Sequence, residues 1–202
     1  TELAYLFKAK RDISQFFFLL LNQIPVLKLI KDNFKFNEKQ DAEFLKGEKL
    51  LAVAREKEVD VNHFLVRMII LFYNSKESEI KSWPLSVAEK NIFTKRRWKN
   101  INTGVFKLKD PAEFFRKLED YHAEELIIFA VKNFDQKIVE KIFNHLKIRN
   151  EIEIPVSGDD LIELGVPQGP EIKEYLLKIR DQILKKNISN RQDALKYLKT
   201  IV

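Results

Sequence analysis

Residues 157–172 read SGDDLIELGVPQGPEI, and this pattern predicts two helices joined by a tight turn. Gly165 closes the first helix, and Gly169 with Pro170 opens the second. The start of the second helix directs backbone N–H groups and the positive end of the helix dipole outward, which favours an anion such as phosphate. A purely structural hairpin explains the same residues, with acidic side chains serving as helix caps: Asp159, Asp160 and Glu171.

The composition extends the helical prediction to the rest of the chain. The 202 residues include only 5 Gly and 6 Pro, while 45 % are hydrophobic and Lys, Glu, Leu and Ile are abundant. Apolar residues recur at helical spacing in successive segments. We predict an all-α fold with helices over residues 1–21, 41–57, 61–73, 86–99, 111–118, 123–131, 136–146, 159–164 and 171–186, and a last helix from Asn190.

Local signals set several helix ends. Asp60 or Asn62 caps the apolar segment 61–73, and Ser86 with Glu89 has the spacing of a capping box. Asp110 is predicted as the N-cap of a helix whose first residue is Pro111. The helix from Ser86 is predicted to run through Lys99 and to end at a left-handed Gly104. We divide the sequence into three parts at breaks between predicted helices: residues 1–80, 81–150 and 151–202.

Positive charge is concentrated in one part of the chain. The net charge of +6 arises from 36 basic and 30 acidic residues, but residues 81–117 alone hold ten basic and three acidic ones. Within them, TKRRWK at 94–99 alternates cations with an indole, a pattern typical of a surface that binds phosphates and stacks an exposed base. The alternative is a solvated basic helix face with Trp98 in the core.

No complete catalytic constellation is found. The chain has no Cys, no phosphate-binding glycine loop, no Asp-x-Asp pair and no His pair at metal-ligand spacing. His122 lies near Glu119 and Glu125, predicted on one helix face, where a surface ion pair explains the grouping at least as well as a proton shuttle. We therefore assign no catalytic and no metal-binding residue. The longest apolar run is too short for a membrane span, and without a targeting signal we expect a cytoplasmic protein that contacts no membrane.

The hairpin sequence resembles the C-terminal signature of bacterial class II tRNA nucleotidyltransferases, the CCA-, CC- or A-adding enzymes of the poly(A) polymerase family. Their pattern, G-x-D-L-x-x-L-G-(I/V)-x-P-G-P-x-(I/L), is matched from Gly158 to Ile172 except that Gln168 replaces a Pro. Residues 110–118, 124–133 and 1–36 are similar to other segments of these enzymes in a more diffuse way.

The resemblance implies the late neck, body and tail of such an enzyme, an elongated multi-helix body with a small C-terminal helical hairpin tail. It implies that the catalytic head, which uses Mg²⁺ with CTP or ATP, lies outside this chain as a domain or a separate subunit. This chain alone would then be inactive and would need no cofactor of its own. The implied partner is tRNA, held by the backbone of its acceptor stem and elbow.

The charge pattern and the resemblance together give the candidate RNA-binding residues. They are Lys95, Arg96, Arg97, Lys99, Lys107, Arg116, Gln168, Gly169 and Lys173. A second hypothesis is a non-catalytic helical scaffold whose basic face binds an acidic protein. A third, weaker one is a stand-alone enzyme with an unrecognised site.

Overall fold

The computed structural model describes residues 38–83 and 85–202. Within these ranges the regular secondary structure consists of ten α-helices and two 3₁₀ helices, which confirms the all-α prediction. The predicted helix over residues 1–21 and the similarity over residues 1–36 fall on residues outside the described ranges. None of the described helices combines the length and apolar character that a membrane crossing needs.

The described residues fall into two units, and each draws on two separate parts of the chain. One unit includes residues 38–83, 85–102 and 121–147, and the other includes residues 103–120 and 148–202. The second unit therefore joins a segment from the middle of the chain to its C-terminal part.

The first unit is built on three helices that pack together. Its elements are α1 (Glu38–Glu56), α2 (His63–Phe72), α3 (Glu77–Ser82), α4 (Val87–Lys95), a 3₁₀ helix (Arg97–Asn100), α6 (Ala123–Lys132) and most of α7 (Gln136–Glu151). Helices α1, α2 and α6 pack against one another around fully buried residues such as Phe44, Leu65 and Ile128. Asn62 accepts a hydrogen bond from the backbone N–H of Leu65 at 3.0 Å. Of the two predicted N-cap candidates for α2, Asn62 is therefore the one that caps the helix.

A buried ion pair joins the first two helices of this core. Arg67 donates from Nε to Glu48 Oε1 at 2.6 Å and from Nη2 to Glu48 Oε2 at 2.9 Å. Both side chains are almost wholly buried, and the paired bonds satisfy charges that would otherwise be costly to remove from water.

The second unit is smaller. It contains a 3₁₀ helix (Thr103–Lys107), α5 (Pro111–Leu118), α8 (Gly158–Glu163), α9 (Pro170–Leu184) and α10 (Arg191–Ile201). Its core brings together Leu161 of α8, Ile179 of α9 and Leu198 of α10. Asp110 accepts hydrogen bonds from the N–H groups of Ala112 and Glu113, which confirms it as the predicted N-cap before Pro111.

A row of opposite charges links α5 to α9 in this unit. Lys185 Nζ lies 2.8 Å from Asp110 Oδ2, Arg116 pairs with Asp181, and Arg180 pairs with Glu119. The Arg180 guanidinium also lies 5.0 Å from the ring centre of Phe115, within cation–π range. These contacts fix one face of α5 against α9.

Candidate nucleic-acid interface

The basic segment 95–99 is shaped by the end of helix α4. The helix begins as predicted with a capping box, in which Glu89 accepts from the Ser86 N–H at 2.8 Å and Ser86 Oγ accepts from the Glu89 N–H at 3.3 Å. The predicted continuation to Lys99 is wrong, because α4 ends at Lys95 and Arg96 adopts a left-handed conformation with φ 49° and ψ 40°. The predicted left-handed Gly104 is also wrong, since Gly104 lies inside the second 3₁₀ helix.

The structure places Trp98 in the core. The indole is 3 % exposed, and its 3₁₀ helix packs on α6. A buried ring cannot stack on a nucleotide without unfolding its surroundings. The prediction that Trp98 stacks on an exposed base is therefore wrong, and its placement in the core is confirmed. The basic residues do not form a continuous helix face, because α4 ends at Lys95.

Arg97 is held on the surface by two neighbouring groups. Its guanidinium carbon lies 4.8 Å from the ring centre of Tyr121, and its Nε lies 3.9 Å from Oε1 of the fully buried Glu125. The side chain is 36 % exposed, so part of the guanidinium faces solvent. The carboxylate of Glu125 is itself held in place, because its other oxygen, Oε2, accepts a hydrogen bond from the backbone N–H of His122 at 3.0 Å and caps α6.

The prediction that His122 lies on a helix face is therefore wrong. His122 is the N-cap residue of α6, and Glu125 is turned back towards its backbone. The grouping of His122 with Glu125 is thus a capping arrangement, which satisfies a helix-terminal N–H group.

The outward-facing cations of the segment are lysines. Lys95 and Lys99 are both exposed, whereas Arg96 and Arg97 are half-buried and engaged by protein groups. Phosphates bind most readily to exposed cations, which need not give up an internal partner. The structure thus separates four predicted contacts into two exposed lysines and two anchored arginines.

The other two predicted body contacts belong to the second unit. Lys107 is exposed, and Arg116 is exposed but paired with Asp181. This unit as a whole holds thirteen basic and thirteen acidic residues, so the positive excess of the described chain lies in the first unit. The acidic partner lowers the positive potential around Arg116.

The C-terminal hairpin forms as predicted. Ser157 and Asp160 make a capping box at the start of α8. Gly165, at φ 97°, ends the helix in a Schellman motif, in which the N–H of Gly165 bonds to Ile162 O at 2.9 Å and the N–H of Val166 bonds to Leu161 O at 3.0 Å. Pro170 is the first residue of α9.

The predicted hairpin contacts are exposed but stand in an acidic setting. Gln168, Gly169 and Lys173 all face solvent. Residues 158–174 contain five acidic residues and Lys173 as their one basic residue. An RNA backbone at this turn would therefore be recognised through N–H groups and shape, with little help from net charge.

No sequence pattern indicated the pair of hydrogen bonds that joins the hairpin to the last helix. Arg191 donates from both terminal nitrogens to the carboxylate of Asp160, with Nη1 at 2.8 Å from Oδ2. Hydrogen bonds from Arg191 and then from the backbone N–H of Ser157 hold the pKa of Asp160 below its usual range. Within the described ranges, no cluster of three or more metal-ligating side chains is found.

Comparison with known proteins identifies the family. A family model described as tRNA nucleotidyltransferase domain 2, putative, matches residues 67–198, which are 132 of the 202 residues. A CCA-adding enzyme from Bacillus cytotoxicus is 36 % identical over 59 residues, 29 % of this chain and 15 % of that enzyme. No solved structure matches the chain. Because the family model covers well over half of the sequence, the chain belongs to the tRNA nucleotidyltransferase domain 2 family.

Proposed function

We propose that this chain is the tRNA-holding body and tail of a tRNA nucleotidyltransferase. In this proposal it grips the backbone of the acceptor stem and elbow, while a catalytic head outside this chain adds nucleotides to the 3′ end. Mg²⁺ and CTP or ATP would bind to that head. The matched CCA-adding enzyme supports the reaction class, since its name states the addition of CCA.

The observation that carries the proposal is the exposed pair Lys95 and Lys99 at a structured junction of the matched region. Folded RNA is recognised mostly through phosphates, ribose hydroxyls and shape, which requires fixed cations more than base-reading groups. Arg97 adds a partly exposed guanidinium on Tyr121. Lys107, Arg116 and the hairpin residues Gln168, Gly169 and Lys173 remain predicted contacts of the second unit.

The first test is titration of the whole chain with tRNA across a salt series. Contacts with several phosphates predict a steep loss of affinity between about 50 and about 200 mM salt. The double variant Lys95→Ala, Lys99→Ala should bind more weakly and should lower the salt slope by roughly one for each lysine.

A matched control removes the same charge elsewhere in the first unit. Lys49 and Lys57 are exposed lysines in or just after α1, outside the basic segment. Their double alanine variant should retain tRNA affinity and salt slope. Equal losses of affinity in both double variants would show that the interaction depends on net charge and not on the basic segment. If the Lys95→Ala, Lys99→Ala variant binds tRNA normally but no longer binds an acidic protein, the scaffold hypothesis is favoured.

A further inference from the structure

Arg96 occupies a backbone conformation that is unusual for its residue type. Its φ of 49° and ψ of 40° are left-handed, a region in which a side chain with a Cβ atom is disfavoured. The residue is both the C-cap of α4 and the N-cap of the 3₁₀ helix that begins at Arg97. The direction of the chain from Lys95 to Lys99 is therefore set at this one residue.

The side chain of Arg96 stabilises this conformation by an internal bond. Its Nη2 donates to the backbone carbonyl of Ser75 at 2.7 Å, across 21 positions of sequence. Ser75 is buried and lies just after α2, in a turn where its N–H bonds to Phe72 O at 2.9 Å. The charged donor thus ties the basic segment to the end of the most apolar helix of the core, and a hydrogen bond from a charged group is stronger than a neutral one.

The tie separates the role of Arg96 from that of its neighbours. Arg96 is half-buried and directed at Ser75, while Lys95 and Lys99 are exposed on either side of it. A lysine has a shorter reach and a single terminal nitrogen, so it would not reproduce the bond of the planar guanidinium. We infer that Arg96 is a positioning residue, which fixes Lys95 and Lys99 for the RNA backbone and does not itself bind phosphate; this rests on the proposed function.

The experiment compares Arg96→Lys with Arg96→Ala in the whole chain. We expect Arg96→Lys, which keeps the charge, to weaken tRNA binding by about tenfold with an unchanged salt slope, because the lysines are present but less well fixed. Arg96→Ala should show a similar loss, also with an unchanged slope. Arg149→Lys, a like substitution outside the basic segment, should bind as the wild type does.

A second measurement needs no RNA. Amide hydrogen exchange of residues 97–100 in the isolated chain should be about tenfold faster in Arg96→Lys than in the wild type, while exchange in the core of α2 and α6 stays unchanged. This readout separates loosening of the junction from global unfolding.

The outcomes are distinct. Wild-type affinity and wild-type exchange in Arg96→Lys overturn the inference. It is also overturned if Arg96→Lys binds normally while Arg96→Ala loses affinity together with about one unit of salt slope, since Arg96 would then be a phosphate contact. A wild-type chain that does not bind tRNA overturns the proposed function, and this inference with it.

Discussion

Neighbouring residues in the basic segment 95–99 differ in whether their side chains are exposed to solvent or buried. Lys95 and Lys99 face solvent, whereas Trp98 is buried. Arg96 donates a hydrogen bond to Ser75 O, and Arg97 contacts Tyr121 and Glu125. A charged side chain at the surface keeps its hydration, whereas an indole gains by leaving water, so one turn of chain exposes the first kind and buries the second.

Trp98 provides a test at this scale. In Trp98→Phe we expect a free energy of unfolding lower by about 1–2 kcal/mol, because a smaller ring leaves part of the core unfilled. The tRNA affinity of the folded variant should stay within about twofold of the wild type, measured at one salt concentration. A large loss of affinity in a variant that is still folded would show that the indole meets RNA.

Close approach of two helices explains a glycine in the interior of a helix, where this residue is unfavourable. Gly47 lies in α1, and a Cβ atom added there would come within 2.4 Å of Ile70 Cδ1 in α2. Ile70 is buried, so its terminal methyl group has little room to move. Packing between α1 and α2 therefore requires glycine at this position, although glycine has a low helix propensity.

The pair Gly47 and Ile70 gives a reciprocal prediction for this element. Gly47→Ala should lower the free energy of unfolding by about 1 kcal/mol in the wild-type background, because overpacking outweighs the gain in helix propensity. In the Ile70→Val background, which lacks the clashing Cδ1 atom, the same change should stabilise the chain. Denaturant unfolding of the four chains measures the coupling, and additive effects would contradict the packing explanation.

At the scale of the whole molecule, stability depends on bonds between distant parts of the sequence. Arg191 and Asp160 lie 31 positions apart, and their bond joins the N-terminus of α10 to the capping box of α8. The row of ion pairs between α5 and α9 likewise spans more than sixty positions. Neither can be deduced from local spacing.

The Asp160 bond predicts a pH dependence with a definite sign. Because the pKa of Asp160 is lowered in the folded chain, the stabilisation is present above the unfolded pKa of about 3.9 and is lost as the pH falls through the folded pKa. Asp160→Asn should therefore lose less stability than the wild type between about pH 5 and pH 2, measured by denaturant unfolding.

Arg191→Gln is the partner variant for this measurement. It removes the largest cause of the lowered pKa but leaves the N–H group of Ser157, so its pH dependence should be intermediate. Adding Arg191→Gln to Asp160→Asn should change the pH dependence no further. If the free energy of unfolding of Arg191→Gln changes with pH in the same way as that of the wild type, Arg191 does not lower the pKa of Asp160.

The sequence alone determined the all-α fold, the hairpin at residues 157–172, the caps at Ser86 and Asp110 and the family, because helix periodicity, capping residues and turn glycines act within a few residues of chain. The tertiary structure decided which cations face solvent, why α4 stops before Arg96, and which charges Arg116 and Arg191 meet. Those outcomes depend on burial and on partners far along the chain, and local patterns do not contain that information.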